Sequence, residues 1–173
     1  NGTMIQVNTV TPGYFDTMGI EVRGRTFTDA DREGAARVVI VNEVMAQTFW
    51  PNQDPLGKRF HFFGTDPAEV VGVARTIKYG TPNELPQPYA YEPLAQRFVT
   101  GVTMIVRAER SPETVLPAVQ KELQAMAPTM PLVHASTVPG LLRNSLWLPR
   151  AGASLLALFG VLALPALAAV VLG

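Results

Sequence analysis

The 173 residues contain no cysteine. That absence removes disulfides, thiolate-ligated zinc and thiol nucleophiles in one step, and leaves the redox compartment open. Neither sign of charge is in excess, since fourteen Lys and Arg balance fourteen Asp and Glu. With no surplus of cations to neutralise phosphates, the composition argues against a nucleic-acid binder. Charged residues make up only 16% of the chain, against about 25% in ordinary soluble domains. All of them lie within residues 1–150, and residues 151–173 carry none. Disorder is excluded as well, because 47% of the residues are hydrophobic.

Catalytic constellations are also missing. The two histidines, His61 and His134, stand far apart, each within a predicted strand, and neither has the i, i+4 partner of a zinc site. Gly57-Lys58 is the one Gly-Lys pair. A phosphate-binding loop needs Gly six residues before the Lys and Ser or Thr after it, where this chain has Asn52 and Arg59. None of Ser111, Ser136, Ser145 and Ser154 sits in a Gly-x-Ser-x-Gly elbow. Asp29 and Asp31 follow Thr28, and a capping arrangement of Thr28 with Asp31 accounts for them more simply than a metal pair. No internal repeat or low-complexity tract is present.

What the chain does have is a charge-free end. As a helix, residues 151–173 would be about 35 Å long, enough to cross a hydrocarbon core of about 30 Å. Helix is the state that pairs the backbone of a single segment within lipid. Pro165 predicts a kink, and Gly152, Ala153, Gly160, Ala163, Ala166 and Ala169 would let a second helix approach. Trp147 and Arg150 stand just before the span, suited to the membrane interface. An amphipathic stretch, Leu141–Leu148, leads into it. The sequence opens on Asn-Gly-Thr and stops within apolar residues, so it reads as a piece of something larger.

Ahead of that tail, short β-branched runs alternate with helical patterns. Strands are expected over Met4–Val10, Ile20–Arg23, Arg37–Val41, Lys58–Phe63, Glu69–Arg75, Pro88–Tyr91, Val102–Arg107 and Leu132–Ala135. The continuous run Val38–Val41 predicts a strand buried on both faces. Thr11 as N-cap with Pro12 in the first turn predicts a short helix through Met18, closed by Gly19. Asn42 is the expected cap of a helix over Glu43–Trp50, stopped by Pro51. Val115, Val119, Leu123 and Met126 or Ala127 form the stripe of a third helix over Thr114–Ala127. There Pro117 favours Thr114 over Ser111 as N-cap. Tyr14, Phe15, Phe27, Phe49 and Trp50 read as core and staple contacts, and Tyr89 with Tyr91 as one face of a strand. Gly24 and Gly57 suit turns with positive φ, and Asp54-Pro55 presets such a turn. Gly72 inside a strand predicts a bulge or a close backbone approach. The fold class is α+β (mixed α/β), a folded domain followed by one transmembrane α-helix. Its parts are a domain over 1–136, a juxtamembrane stalk over 137–150 and the span over 151–173.

Thr11-Pro-Gly-Tyr-Phe-Asp-Thr-Met-Gly-Ile20 followed by Arg23-Gly-Arg-Thr-Phe-Thr-Asp-Ala-Asp31 resembles the periplasmic core of MacB-like, FtsX-like ABC-transporter permeases. The pattern continues in order through Val39-Ile-Val-Asn-Glu-Val-Met-Ala46, Phe49-Trp-Pro51 and Asp54-Pro-Leu-Gly-Lys-Arg59. It goes on through Val70-Val-Gly-Val-Ala74, Pro88-Tyr-Ala-Tyr-Glu-Pro-Leu-Ala-Gln96 and Ile105-Val-Arg107. It is similar to the form found in the large soil-bacterial permeases of this family. The resemblance carries Pro12, Tyr14, Phe15, Gly24, Arg25, Phe27, Asn42, Pro55, Gly57, Gly72 and Tyr91 as scaffold residues. It implies no catalytic residue, no metal and no cofactor, with ATP acting only indirectly through a partner. Residues 1–150 would face outward from the bacterial cytoplasmic membrane, although Arg143 and Arg150 alone would place them inside. The implied partners are a cytoplasmic ABC-type ATPase, the remaining permease helices and a second permease copy. A periplasmic adaptor or exported substrate completes the set, and nucleic acid is not among them. The implied role is mechanotransmission, the coupling of ATP-driven helix motion to export or to a partner protein. The competing reading is a membrane-anchored binding or sensor module without an ATPase.

Overall fold

The structure, a computed structural model, describes residues 4–61, 66–78, 85–97, 99–109, 111–128 and 135–137. The chain divides into two units, Asn1–Arg107 and Ala108–Gly173.

Unit 1 is built on one mixed sheet. Its strands are β1 (Gln6–Val10), β2 (Val22–Gly24), β3 (Val38–Asn42), β4 (Arg59–Phe60), β5 (Ala68–Ala74) and β6 (Tyr89–Pro93). They run in the order β1-β6-β3-β5-β2, with β4 also paired to β5. The pairs β1–β6 and β3–β5 are parallel, and β3–β6, β2–β5 and β4–β5 antiparallel. All five residues of β3 are buried, as the unbroken apolar run predicts. Alternation sends Val38 and Ile40 to one face and Val39 and Val41 to the other. Each face has its own short helix. Phe15 of α1 (Tyr14–Met18) packs with Val38 and Ile40, and Met45 of α2 (Glu43–Phe49) with Val39 and Val41. A sheet covered on both sides explains why its middle strand carries no polar alternation.

Between Val39 and Ile40 the register on β5 jumps from Val70 to Gly72, leaving Val71 as the extra residue of a bulge. Gly72 faces Gly24 across the β2–β5 pair. A Cβ on Gly72 would lie 2.6 Å from the Arg25 carbonyl oxygen, and one on Gly24, at φ +98°, 2.6 Å from that of Val71. Both the bulge and the close approach expected at Gly72 are therefore present.

Several expectations are corrected. Gly13, not Thr11, is the N-cap of α1, in a left-handed conformation without a side-chain bond. Pro12 and Gly13 turn the chain by themselves, and the Thr11 carbonyl accepts from the Tyr14 N–H. Phe49 is 42% exposed rather than core, because α2 directs Met45 into the sheet and ends there. His61 lies just beyond β4, which is only two residues long. No strand forms over Val102–Arg107; β-branched composition supplies propensity but not a neighbouring edge. In unit 2, α3 spans Pro112–Met126 with Ser111, not Thr114, as N-cap, and Pro117 lies inside the helix. Pro117 is the sixth residue of the helix and has no N–H to give the Glu113 carbonyl one turn back. None of the α3 side chains is buried, with Val115, Leu116, Val119 and Leu123 half-buried.

Among the described residues, no helix is long and apolar enough to cross a membrane. The expected span over 151–173, Trp147 and Arg150 before it, the stretch Leu141–Leu148, and His134 with most of Leu132–Ala135 lie outside those residues.

Candidate functional site

The residues singled out in the sequence gather into three constellations in unit 1. The first is aromatic. Phe15 stands edge-on to Tyr91 at 5.1 Å and to Tyr14 at 5.3 Å, with Phe27 at 6.2 Å. Tyr89 stacks on Tyr91 at 6.4 Å, as two residues apart on one strand should. Pro12 remains exposed at the entry to α1, where its fixed φ leads the chain into the turn at Gly13.

The second holds the turn after β2. Arg25 grips Asp31 through both carboxylate oxygens, at 2.8 and 2.9 Å, and the Thr28 N–H donates to the same carboxylate at 2.9 Å. Thr28 and Asp31 thus form the arrangement expected of them, and Arg25 completes it. This turn brings Phe27 to the aromatic cluster. The hydrogen bond from Arg25, followed by that from the Thr28 backbone, holds the Asp31 carboxyl below its usual range against the opposing effect of burial. A carboxyl lowered in the folded state stabilises above its unfolded pKa of about 3.9 and ceases to do so as pH falls through its lower folded value. Asp31→Asn should therefore be less stable than wild type at pH 6, with the gap closing below about pH 4. Denaturant midpoints of both chains at the two pH values check this; a gap independent of pH would remove the charge from the account.

The third lies at the sheet margin. Pro55 is buried, the Lys58 N–H closes the turn on the Pro55 carbonyl, and Gly57 sits at φ +75° with its N–H on the Val70 carbonyl. Asp54 accepts from the Leu56 N–H and from Arg23, and these two bonds, in that order, lower its pKa. Leu56 is thereby laid against Gly24. Asn42 stands at the other end of β3, as the cap of α2 that its position predicts.

Two open clefts adjoin these elements, sharing Arg23, Glu43 and Val73. One of about 370 Å³ is lined also by Glu21, Val22 and Arg75, and one of about 360 Å³ by residues including Trp50, Asn52 and Pro55. Their charges are engaged within the chain, Arg23 with Asp54, Arg75 with Glu21, and Glu43 with the Thr76 N–H. Among the described residues, no group of three or more His, Asp or Glu could hold a metal ion.

One network has no counterpart in the sequence reading. Glu92, 2% exposed, is paired with Arg37 at 2.9 Å and with Arg97. Its local signal is a carboxylate within an otherwise uncharged strand, and its main partner lies 55 residues away.

The MacB-like periplasmic core domain model matches residues 1–126. The chain belongs to that family. Its membership bears out the resemblance carried by the motifs from Thr11 to Arg107. The fold is similar to the periplasmic region of MacB from Actinobacillus actinomycetemcomitans, with a TM-score of 0.51 and 21% identity over 69% of this chain. This chain spans 56% of that one. It is also similar to the extracellular domain of the noncanonic ABC-type transporter YknZ from Gram-positive bacteria. There the identity is 34% over 50% of this chain and 42% of that one, with a TM-score of 0.39. No curated protein matches the sequence. Within the MacB-like core, the aromatic cluster, the Arg25–Asp31 turn and the Gly24–Gly72 contact are the parts that hold the sheet to its covering elements.

Proposed function

We propose that this MacB-like core is the extracytoplasmic part of an ABC-transporter permease subunit in the bacterial cytoplasmic membrane. It couples ATP-driven motion of the membrane helices to substrate export or to a partner protein. Membership of the family over residues 1–126 carries the reading. The build of unit 1 supports it, because a sheet packed on both faces by short helices is a close-packed body able to transmit strain. The part is non-catalytic and holds no cofactor. ATP is hydrolysed by a cytoplasmic ABC-type ATPase, and the further partners are the remaining permease helices, a second permease copy and a periplasmic adaptor or exported substrate. Residues 151–173 supply the transmembrane helix, Trp147 and Arg150 its interface, and the scaffold residues from Pro12 to Tyr91 keep the outer body stiff.

The test is purification of the full-length membrane protein from its native membrane. An ABC-type ATPase is expected to co-purify, with ATP turnover that rises when the permease is present. Recovery without any ATPase would overturn the reading and favour a membrane-anchored binding or sensor module.

A further inference from the structure

The geometry points to a polar latch at the end of β6, made by Glu92 with Arg97 and by Gln96, that sets where residues 99–107 lie and can open without opening the sheet. The inference stands on unit 1 alone and does not depend on the reading above.

Glu92 is the one carboxylate in β6 and is almost wholly buried. A buried carboxylate without a partner costs several kcal/mol. This one has two guanidinium partners of different placement: Arg37 precedes β3 and is mostly covered, whereas Arg97 follows the 3₁₀ turn Leu94–Gln96 and is nearly half exposed. If the turn swings away, Arg97 leaves with it while Arg37 stays on the sheet, so Glu92 is never left unpaired. Two partners, one fixed and one detachable, make the open state affordable.

The turn itself buries no residue. It is held by the Gln96 side chain, which donates to the Ala36 carbonyl at 2.9 Å and accepts from the Val38 N–H at 3.2 Å. Hydrogen bonds weaken steeply once their geometry is lost, so both of these go together when the turn rotates. Beyond the turn, Val102, Met104, Ile105 and Val106 are all exposed and form no strand. The segment therefore has little burial of its own to fix it. At its far end the Arg107 guanidinium lies against Gly19. Residues 99–107 are a strap, tied at its start by the latch and passing beside Gly19 at its end.

Hydrogen exchange of the full chain tests this. Arg97→Ala and Gln96→Ala are each expected to speed exchange of amides in residues 94–97 and 99–107 by about tenfold, together with the Val38 N–H that Gln96 accepts from, while the rest of β3 and all of β5 exchange as in wild type. Arg97→Lys, which keeps the charge, should stay within about threefold of wild type. Arg37→Ala removes the fixed partner and should speed β3 and β6 as well. Equal acceleration of β3, β5 and the strap by Arg97→Ala would make Arg97 a general stabiliser and overturn the latch. So would an unchanged strap in both alanine variants, or a lysine variant as fast as the alanine one. The readout needs no ATPase and no transport.

Discussion

Asn42→Ala is expected to cost the chain about 3–4 kcal/mol of unfolding free energy, summing a lost cap and newly unpaired backbone groups. The side chain is 1% exposed and makes three backbone contacts. Its Oδ1 accepts from the Met45 N–H at 2.9 Å and the Tyr89 N–H at 3.0 Å, and its Nδ2 donates to the Gln87 carbonyl at 2.8 Å. One residue thus starts α2 and ties the entry of β6 to the end of β3. Alanine leaves the Met45 N–H without a partner in the core and removes the partner of the half-buried Tyr89 N–H and of the Gln87 carbonyl, which is costlier than an exposed cap. Asn42→Ser keeps an acceptor for Met45 but cannot serve the β6 side, so it should recover only about 1 kcal/mol. Urea unfolding at constant m distinguishes the three chains. A loss below about 1 kcal/mol for alanine would mean that the cap alone matters, and the bridge to β6 does not.

Phe15→Ala should cost about 3–5 kcal/mol, the usual range for emptying a buried phenylalanine site. Such a loss is a large share of the 5–15 kcal/mol that holds a typical domain folded. Phe15 is 1% exposed and is the one buried residue of α1. Five residues cannot sustain a helix in water unaided, so α1 depends on this ring and its edge contacts with Tyr14 and Tyr91. Phe15→Leu keeps most of the volume and should cost about 1.5 kcal/mol or less. Thermal unfolding with near-ultraviolet circular dichroism reads both, since the cluster holds most of the asymmetric aromatic contacts on that face. If the alanine chain melts within a few degrees of wild type, α1 is not seated on the sheet as described.

The two substitutions also mark how far local reasoning reaches. The cap at Asn42 is legible because a cap is a bond between a side chain and an N–H three residues on. Its bonds to Gln87 and Tyr89 are not, since they join positions 45 and 47 residues apart. The covered strand at Val38–Val41, the left-handed glycines at 24 and 57 and the close approach at Gly72 are likewise visible in residue type and spacing. The same rules misplace the starts of α1 and α3, because Gly13 and Ser111 begin these helices without a side-chain bond. They also expect a strand at Val102–Arg107, where apolar alternation meets no edge to pair with.

Composition, motif order and short-range chemistry therefore determined the family, the α+β class, most strands and the turn around Thr28 and Asp31. Each depends on contacts within a few residues or on a pattern read along the chain. Only the tertiary structure decided that Arg37 and Arg97 converge on Glu92, that α1 and α2 cover opposite faces, and that Phe49 faces solvent. Those outcomes depend on which strands become neighbours. A sheet of order β1-β6-β3-β5-β2 sets that by pairing segments far apart in sequence, which no local propensity encodes.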